Sequence, residues 1–233
     1  MPFDPSRIRA ICFDVDGTLS DTDDLMVNRV ARRLAPIRRL LPARDSRRAA
    51  RRLIMAIESP GNAILTLTDW LHLSRGLDWL YDSLYRGRLG RRPESFWIIQ
   101  GVQNTVSRLA SRYPLAIVSA NHATHTDEFL HQYNLSQYFA TVITARTCEH
   151  TKPFPDPLLY AARQLGVTTD ACLMVGDTSV DIRAGRAVGA QTVGVLCGFG
   201  REAELHRAGA DLILPVTTHL ADILLASQAK EVI

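Results

Sequence analysis

The segment CFDVDGTLSDTDD, residues 12–24, places five aspartates directly after a short apolar run. They are Asp14, Asp16, Asp21, Asp23 and Asp24. Carboxylates gathered this closely repel one another, so the fold needs a cation or a basic partner to offset their charge. We interpret the last three, which follow the turn at Gly17, as helix-capping or solvated acids. Asp14 and Asp16, which are separated by one residue, are the pair whose spacing predicts a catalytic role.

Two further apolar runs also end in polar residues. Residues 115–118 are followed by Ser119, and residues 172–175 lead into the segment GDTSVD, which contains Asp177. If these runs are parallel strands, their carboxyl ends meet at one edge of the sheet, beside Asp14. Asp14, Asp16 and Asp177 would then converge at that edge. Three carboxylates together would be unstable without a cation, and hard oxygen ligands with no histidine or cysteine nearby favour Mg²⁺.

The pair Asp14 and Asp16 is suited to phosphoryl transfer. One carboxylate can attack phosphorus and form an aspartyl-phosphate, while a second carboxylate two residues on donates and later accepts a proton. Gly17 permits the sharp turn that keeps both side chains at the mouth of a site.

Lys152 carries independent information because lysine is rare in this chain. The sequence contains 25 arginines but only two lysines, Lys152 in TKPFPDP and Lys230 near the end. A lysine in such a background indicates a position that requires a compact ammonium rather than a planar guanidinium. Beside Asp14, it would offset the carboxylate charge and hold a phosphoryl oxygen.

The elements that must position these residues follow from hydrophobic patterning. From about residue 95 onward, short apolar runs alternate with amphipathic helical patterns, which predicts an α/β fold with a parallel sheet covered on both faces. The predicted strands are 8–13, 115–118, 141–143, 172–175, 192–195 and 211–214. The predicted helices are 102–112, 124–132, 156–165, 180–188 and a terminal helix. The preceding stretch has helical periods at 24–41, 46–58, 62–73 and 77–87.

Four motifs, taken in order and at strand ends, resemble those of the haloacid dehalogenase superfamily. They are DVDGT at residues 14–18, Ser119 after an apolar strand, Lys152 in KPFPDP, and GD at residues 176–177 with Asp181. The resemblance implies a Rossmann-like core, residues 1–19 and 95–233, with an inserted helical C1-type cap domain, residues 20–94. The stretch GFGREAELHRAGAD, residues 198–211, is similar to the corresponding part of phosphoglycolate phosphatase-like members.

The resemblance also implies residue roles. Asp14 takes the role of nucleophile, Asp16 that of general acid and base, and Lys152 that of the charge-stabilising lysine. The phosphate-binding set is Ser119, Ala120, Lys152, Gly17 and Thr18. The Mg²⁺ ligands are Asp14, Asp177 and the backbone carbonyl of Asp16.

Two further residues belong to a supporting layer in this resemblance. Asp181 is expected to orient either the metal shell or Lys152. Related members often have Asn directly after the Ser or Thr of the second motif, whereas here Ala120 intervenes, so Asn121 is assigned either phosphate binding or loop capping. His122 and His125 face either the substrate or solvent.

These motifs predict a Mg²⁺-dependent phosphatase, similar to phosphoglycolate phosphatase, for a small phosphorylated metabolite whose alcohol part is read by the cap. Asp16 favours phosphoryl transfer over dehalogenation, because a leaving halide needs no protonation. One alternative is a phosphomutase of the β-phosphoglucomutase type. An alternative of another class is a non-catalytic protein that binds nucleic acid or an acidic partner through its arginine-rich segment.

Composition bears on the location of the protein, its partners and the state of its cysteines. The chain has 233 residues, 46% of them hydrophobic, with neither a signal-peptide pattern nor an apolar run of bilayer length. We therefore expect a cytoplasmic protein without a membrane partner. For the oligomeric state, both a monomer and a homodimer stay open. Residues 29–52 hold ten arginines and one acid. No aromatics interleave with them, which favours a solvated face or an attractor of acidic substrate over nucleic-acid binding. The four cysteines are predicted to be reduced structural thiols.

Overall fold

The computed structural model describes residues 3–21, 31–33, 35–36, 46 and 96–229. The chain divides into two compact units, one formed by Met1–Asp23 with Trp97–Ile233 and the other by Asp24–Phe96. The helices predicted between residues 24 and 87 lie almost wholly outside the described residues, so the assignment of residues 20–94 as a cap stays a prediction.

The first unit alternates strands and helices along the chain. Its strands are β1 (Ala10–Phe13), β2 (Leu115–Val118), β3 (Phe139–Ile143), β4 (Cys172–Gly176), β5 (Gln191–Val195) and β6 (Leu212–Leu214). Its described helices are α1 (Val102–Ala110), α2 (Ala123–Gln132), α3 (Asp156–Leu165), α4 (Ser179–Ala187), α5 (Glu202–Ala208) and α6 (His219–Ala229). The α/β class predicted from the sequence is confirmed.

The six strands form one sheet in the order β3-β2-β1-β4-β5-β6, and every neighbouring pair is parallel. The four inner strands are buried along their whole length, whereas the edge strands β3 and β6 are partly exposed. This difference explains why continuous apolar runs mark the centre of the sheet: an inner parallel strand is covered on both faces.

The order of the strands fixes where a ligand can bind. The chain builds outward from β1 through β2 to β3, then returns to the other side of β1 and builds outward again from β4. Proteins with sheets of this topology bind their ligands at such a switch point, beyond the carboxyl ends of the strands, which here are those of β1 and β4. Below it, Cys12 and Met174 pack in a buried cluster with Leu158 of α3 and Ala184 of α4.

The two passages of the first unit that flank Asp24–Phe96 lie side by side. The Asp21 N–H donates to the Trp97 carbonyl at 2.7 Å, and the Ile99 N–H donates to the Leu19 carbonyl at 3.0 Å. Ser20 and Ile98 form an antiparallel bridge between these two bonds. The backbone pairing therefore ties together the points at which the chain leaves the sheet and returns to it.

The structure differs from the sequence-based elements mainly at short or exposed segments. Helix α5 was not predicted, because it is short and only Leu205 of it is buried. Strand β3 begins at Phe139, two residues before the predicted start. All four cysteines are free thiols, and Cys12 and Cys172 are buried as predicted. Among the described helices, none has the length and apolar character needed to cross a bilayer.

Candidate active site

Two aspartates flank the switch point because each directly follows an inner strand. Asp14 follows β1 and Asp177 follows β4. The Asp14 N–H donates to the Val175 carbonyl at 2.9 Å, so the pairing of the two strands continues to the aspartate itself. Carboxylate oxygens of Asp14, Asp177 and Asp181 all lie within 4.8 Å of one another. The group therefore consists of two buried acids that follow strands and a third, Asp181, that lies on α4.

Lys152 lies between two of these carboxylates. It comes from the connection between β3 and α3, and its Nζ donates to Asp14 Oδ1 at 2.7 Å and to Asp181 Oδ1 at 2.6 Å. The lysine is only 7% exposed. Hydrogen bonds between charged partners are about twice as strong as neutral ones. The ammonium therefore holds both carboxylates in a fixed arrangement.

Asp181 uses both of its carboxylate oxygens within the protein. While Oδ1 accepts from Lys152, Oδ2 accepts the Thr178 N–H at 3.0 Å and the Thr178 hydroxyl at 2.7 Å. Asp181 lies in the first turn of α4, where a carboxylate also interacts favourably with the helix dipole. Of the two roles that the resemblance left open, this geometry favours orientation of Lys152.

The electrostatics of the cluster depend on burial. Burial raises the pKa of Asp14, Lys152 opposes the shift, and the neighbouring charges of Asp181 and Asp16 add to it, so that the pKa of Asp14 is about 7. Burial also acts to lower the pKa of Lys152, but attraction to Asp14 and Asp181 and the two hydrogen bonds outweigh it and raise that pKa. Lys152 is therefore charged at neutral pH.

A tight turn carries Asp16 away from the end of β1. Gly17 has a φ of +71°, a backbone conformation that glycine adopts without steric cost. The Val15 carbonyl accepts the N–H groups of Thr18, Leu19 and Ser20 at 3.2, 2.8 and 2.9 Å. The turn leaves Asp16 partly exposed and buries Thr18 completely.

Asn121 links the second motif to this turn. Its side-chain amide donates to the Asp16 carboxylate, and its backbone N–H donates to the Ser119 hydroxyl oxygen at 3.1 Å. His125, half-buried on α2, places Nδ1 3.4 Å from the same amide nitrogen. A short chain of polar contacts thus runs from the Ser119 hydroxyl to the Asp16 carboxylate.

The predicted site residues form two hydrogen-bonded groups. The first contains Lys152, Asp14 and Asp181, with the Asp177 carboxylate within 4.8 Å of both acids. The second contains Asp16, Asn121 and Ser119. Ala120 is exposed, as is His122. Thr18 differs from the other phosphate-binding candidates because it is fully buried, and its carbonyl accepts the Thr217 hydroxyl at 2.5 Å.

The sequence-based predictions did not include the residues outside the motifs that donate hydrogen bonds to the site. The Phe199 N–H donates to Asp177 Oδ2 at 2.9 Å, and the Cys197 thiol donates to the Gly17 carbonyl at 3.3 Å. These contacts join positions more than 20 residues apart, so no local spacing indicates them. The closely spaced glycines of GFG were the one available signal.

The donor set fits a hard divalent cation. Asp14, Asp177 and Asp181 contribute three negative charges when ionised, and Lys152 contributes one positive charge, all of them buried. A buried excess of two negative charges is costly unless it is balanced. Carboxylate oxygens are the ligands that Mg²⁺ prefers, and Asp14 and Asp177 are the residues that would hold it, since Asp181 is committed to Lys152 and Thr178.

Comparison with known proteins independently supports the resemblance to the haloacid dehalogenase superfamily. Residues 81–195 match the family model of haloacid dehalogenase-like hydrolases. The phosphoglycolate phosphatase of Photorhabdus laumondii is 28% identical over 223 residues, which cover 93% of this chain and 91% of that protein. The Escherichia coli phosphoglycolate phosphatase is 25% identical over 229 residues, 88% of each chain. The solved structure of a haloacid dehalogenase-like hydrolase from Streptococcus pneumoniae gives a TM-score of 0.65 at 20% identity, covering 94% of this chain and 99% of that one. That structure has the same fold.

Proposed function

Since this chain belongs to the haloacid dehalogenase superfamily, we propose that it is a Mg²⁺-dependent phosphatase that hydrolyses a small phosphorylated metabolite. The observation that carries the proposal is the buried group in which Lys152 bonds Asp14 at 2.7 Å and Asp181 at 2.6 Å, with Asp177 alongside. A purely structural role would not require three buried acids around one lysine, because an apolar replacement is often as stable as a buried ion pair.

Asp14 is the nucleophile in this mechanism. Its carboxylate is held in one orientation by Lys152, which lowers the entropic cost of reaching the attack geometry. An oxygen of Asp14 attacks phosphorus, and the bond from phosphorus to the substrate's alcohol oxygen breaks as the aspartyl-phosphate forms. Lys152 and Ser119 hold phosphoryl oxygens during the transfer. Mg²⁺, when bound by Asp14 and Asp177, would neutralise the charge of the transferring group.

Asp16 handles the protons of both steps. In the first step it gives a proton to the departing alcohol oxygen, which leaves as a neutral alcohol. In the second step the same carboxylate takes a proton from water, whose oxygen attacks phosphorus. The bond between phosphorus and Asp14 then breaks, which releases phosphate and restores the Asp14 carboxylate. The hydrogen bond from the Asn121 amide keeps Asp16 beside the turn for both steps.

The substrate class is a small phosphate monoester, and phosphoglycolate is the first candidate because this chain is similar to two phosphoglycolate phosphatases over most of its length. The arginine-rich segment at residues 29–52 would attract such an acidic substrate.

The test is phosphate release from a panel of esters, namely phosphoglycolate, hexose phosphates and nucleoside monophosphates, with Mg²⁺ or with EDTA. We expect turnover that EDTA abolishes and that Asp14→Asn lacks. The matched control is Asp222→Asn, an isosteric change at an aspartate whose side chain is 71% exposed.

Three outcomes would contradict the proposal. Full activity in Asp14→Asn would exclude the nucleophile. Conversion of a hexose 1-phosphate to its 6-phosphate without release of phosphate would favour the phosphomutase. Salt-dependent binding of nucleic acid by a protein inert toward every ester would favour the binding protein.

A further inference from the structure

The segment between β5 and α5, residues 197–200 with the sequence CGFG, lies against the carboxylate that follows β4. The Phe199 N–H donates to Asp177 Oδ2 at 2.9 Å in a buried hydrogen bond. A backbone donor is fixed by the chain and cannot rotate away as a side chain can. One oxygen of the Asp177 carboxylate is therefore held in place from the side of this segment.

Glycines on both sides of Phe199 make this close approach possible. A Cβ built on Gly198 would overlap the Asp177 carboxylate, and a Cβ built on Gly200 would overlap the Asp177 backbone carbonyl. The second overlap is with backbone, which cannot be relieved by a rotamer change. Any residue larger than glycine at position 200 must therefore displace either Asp177 or the segment itself.

The same segment also supports the turn that follows β1. The Cys197 thiol donates to the Gly17 carbonyl at 3.3 Å and lies 3.6 Å from the Thr217 hydroxyl. That hydroxyl donates to the Thr18 carbonyl at 2.5 Å. Two consecutive backbone carbonyls of the turn, those of Gly17 and Thr18, thus accept hydrogen bonds from residues outside the turn. The segment touches both chain passages that carry the candidate Mg²⁺ ligands.

We propose that residues 197–200 are positioning residues for the cation site and set its affinity for Mg²⁺. They contribute no ligand themselves. Phe199 orients Asp177, and the two glycines allow the segment to reach that carboxylate. Cys197 holds the turn that follows Asp14. Loss of an outer contact of this kind costs about 10- to 100-fold in metal affinity. This inference rests on the proposed function, because it takes Asp14 and Asp177 as the Mg²⁺ ligands.

The experiment measures Mg²⁺ binding directly rather than through activity. The thermal unfolding temperature of the full chain is recorded against MgCl₂ at constant ionic strength, and the rise is fitted to a stabilisation of RT ln(1 + c/Kd), where c is the Mg²⁺ concentration. The fitted Kd, which is the Mg²⁺ concentration at the midpoint of binding, reports affinity. We expect Gly200→Ala to raise this concentration about 10- to 100-fold. The matched control is Gly166→Ala, at a φ of +69° with nothing within 4 Å of the added carbon, which lowers the unfolding temperature but leaves the Mg²⁺ midpoint unchanged.

A second pair of variants keeps the test decisive if Gly200→Ala does not fold. Cys197→Val removes the donor to the Gly17 carbonyl and is expected to weaken Mg²⁺ binding, whereas Cys197→Ser keeps a donor and is expected to retain it. A wild-type Mg²⁺ midpoint in Cys197→Val, and in Gly200→Ala where that variant folds, would overturn the inference alone. A wild-type protein whose unfolding temperature ignores Mg²⁺ would instead overturn the metal site of the proposed function.

Discussion

Two ion-pair groups in the first unit have similar bond lengths and very different surroundings. Lys152 lies 2.6–2.7 Å from two carboxylates, and its side chain is 4% exposed. Arg108 on α1 lies 2.9 Å from Asp222 on α6, and these side chains are 42% and 71% exposed. Water and salt screen the surface pair, so it contributes about 0–1 kcal/mol to stability. The buried group is screened much less, so its charges act on one another and on a bound ligand more strongly.

The largest effect in this comparison is expected from Asp14, the proposed nucleophile. Asp14→Asn keeps the shape of the side chain but removes the attacking carboxylate, so the rate of phosphate release should fall by at least about 10⁴-fold. Asp222→Asn makes the same chemical change in the surface pair and should leave the rate unchanged. Steady-state kinetics with the best ester of the panel measure both. Equal losses of rate in the two variants would mean that the buried carboxylate matters no more for phosphate release than the exposed one.

Lys152 is next in expected size. Lys152→Met should lower the rate about 10²- to 10³-fold, because the phosphoryl oxygens lose a fixed positive charge. Without Mg²⁺ it should also lower the free energy of unfolding by about 3–5 kcal/mol, since Asp14 and Asp181 lose their counter-charge while buried.

Two comparisons sharpen the Lys152 prediction. Added Mg²⁺ should raise the unfolding temperature of Lys152→Met more than that of the wild type, because the cation then offsets more unbalanced charge. Lys152→Arg should not restore the rate, since a planar guanidinium cannot replace a compact ammonium between two carboxylates. A wild-type rate in Lys152→Arg would show that only the charge matters.

Asn121 should have a smaller effect, and one that depends on the substrate. Asn121→Ala removes the amide that holds Asp16, so it should cost part of the roughly 10²- to 10⁴-fold that general acid–base catalysis supplies. Esters with poor leaving groups should be affected more than p-nitrophenyl phosphate, whose leaving group needs no proton. The control is Asn104→Ala, at an exposed position of α1. The same loss on both classes of ester would contradict a role through Asp16.

The surface pair should give the smallest effect. Arg108→Ala should lower the free energy of unfolding by no more than about 1 kcal/mol, and by less at high salt, without changing the rate of phosphate release. Thermal unfolding at low and high ionic strength measures this. A loss of several kcal/mol would show that α1 and α6 depend on the pair far more than its exposure suggests.

The inner strands were predictable because burial on both faces requires an unbroken apolar run. The bounds of β2 and α3 agree with the sequence-based elements, and Asp14, Ser119 and Asp177 follow their strands as expected. The edge of the sheet was less predictable, since β3 mixes buried and exposed residues.

The hydrogen bonds that residues outside the motifs make to the site could not be predicted from residue spacing. Cys197 meets the Gly17 carbonyl across 180 positions of sequence, and this meeting depends on how β5 lies relative to β1. Lys152 was predictable for a different reason, its rarity in a chain that uses arginine almost everywhere. Composition thus revealed a residue that periodicity alone would have missed.

The backbone pairing between residues 19–21 and 97–99 has a consequence for how this protein can change over evolutionary time. The two ends of the stretch Asp24–Phe96 are already joined by hydrogen bonds within the first unit. The entropy of closing a loop rises by only about 0.6 kcal/mol for each doubling of its length. Insertions of very different size can therefore be exchanged at this point with little cost to the sheet.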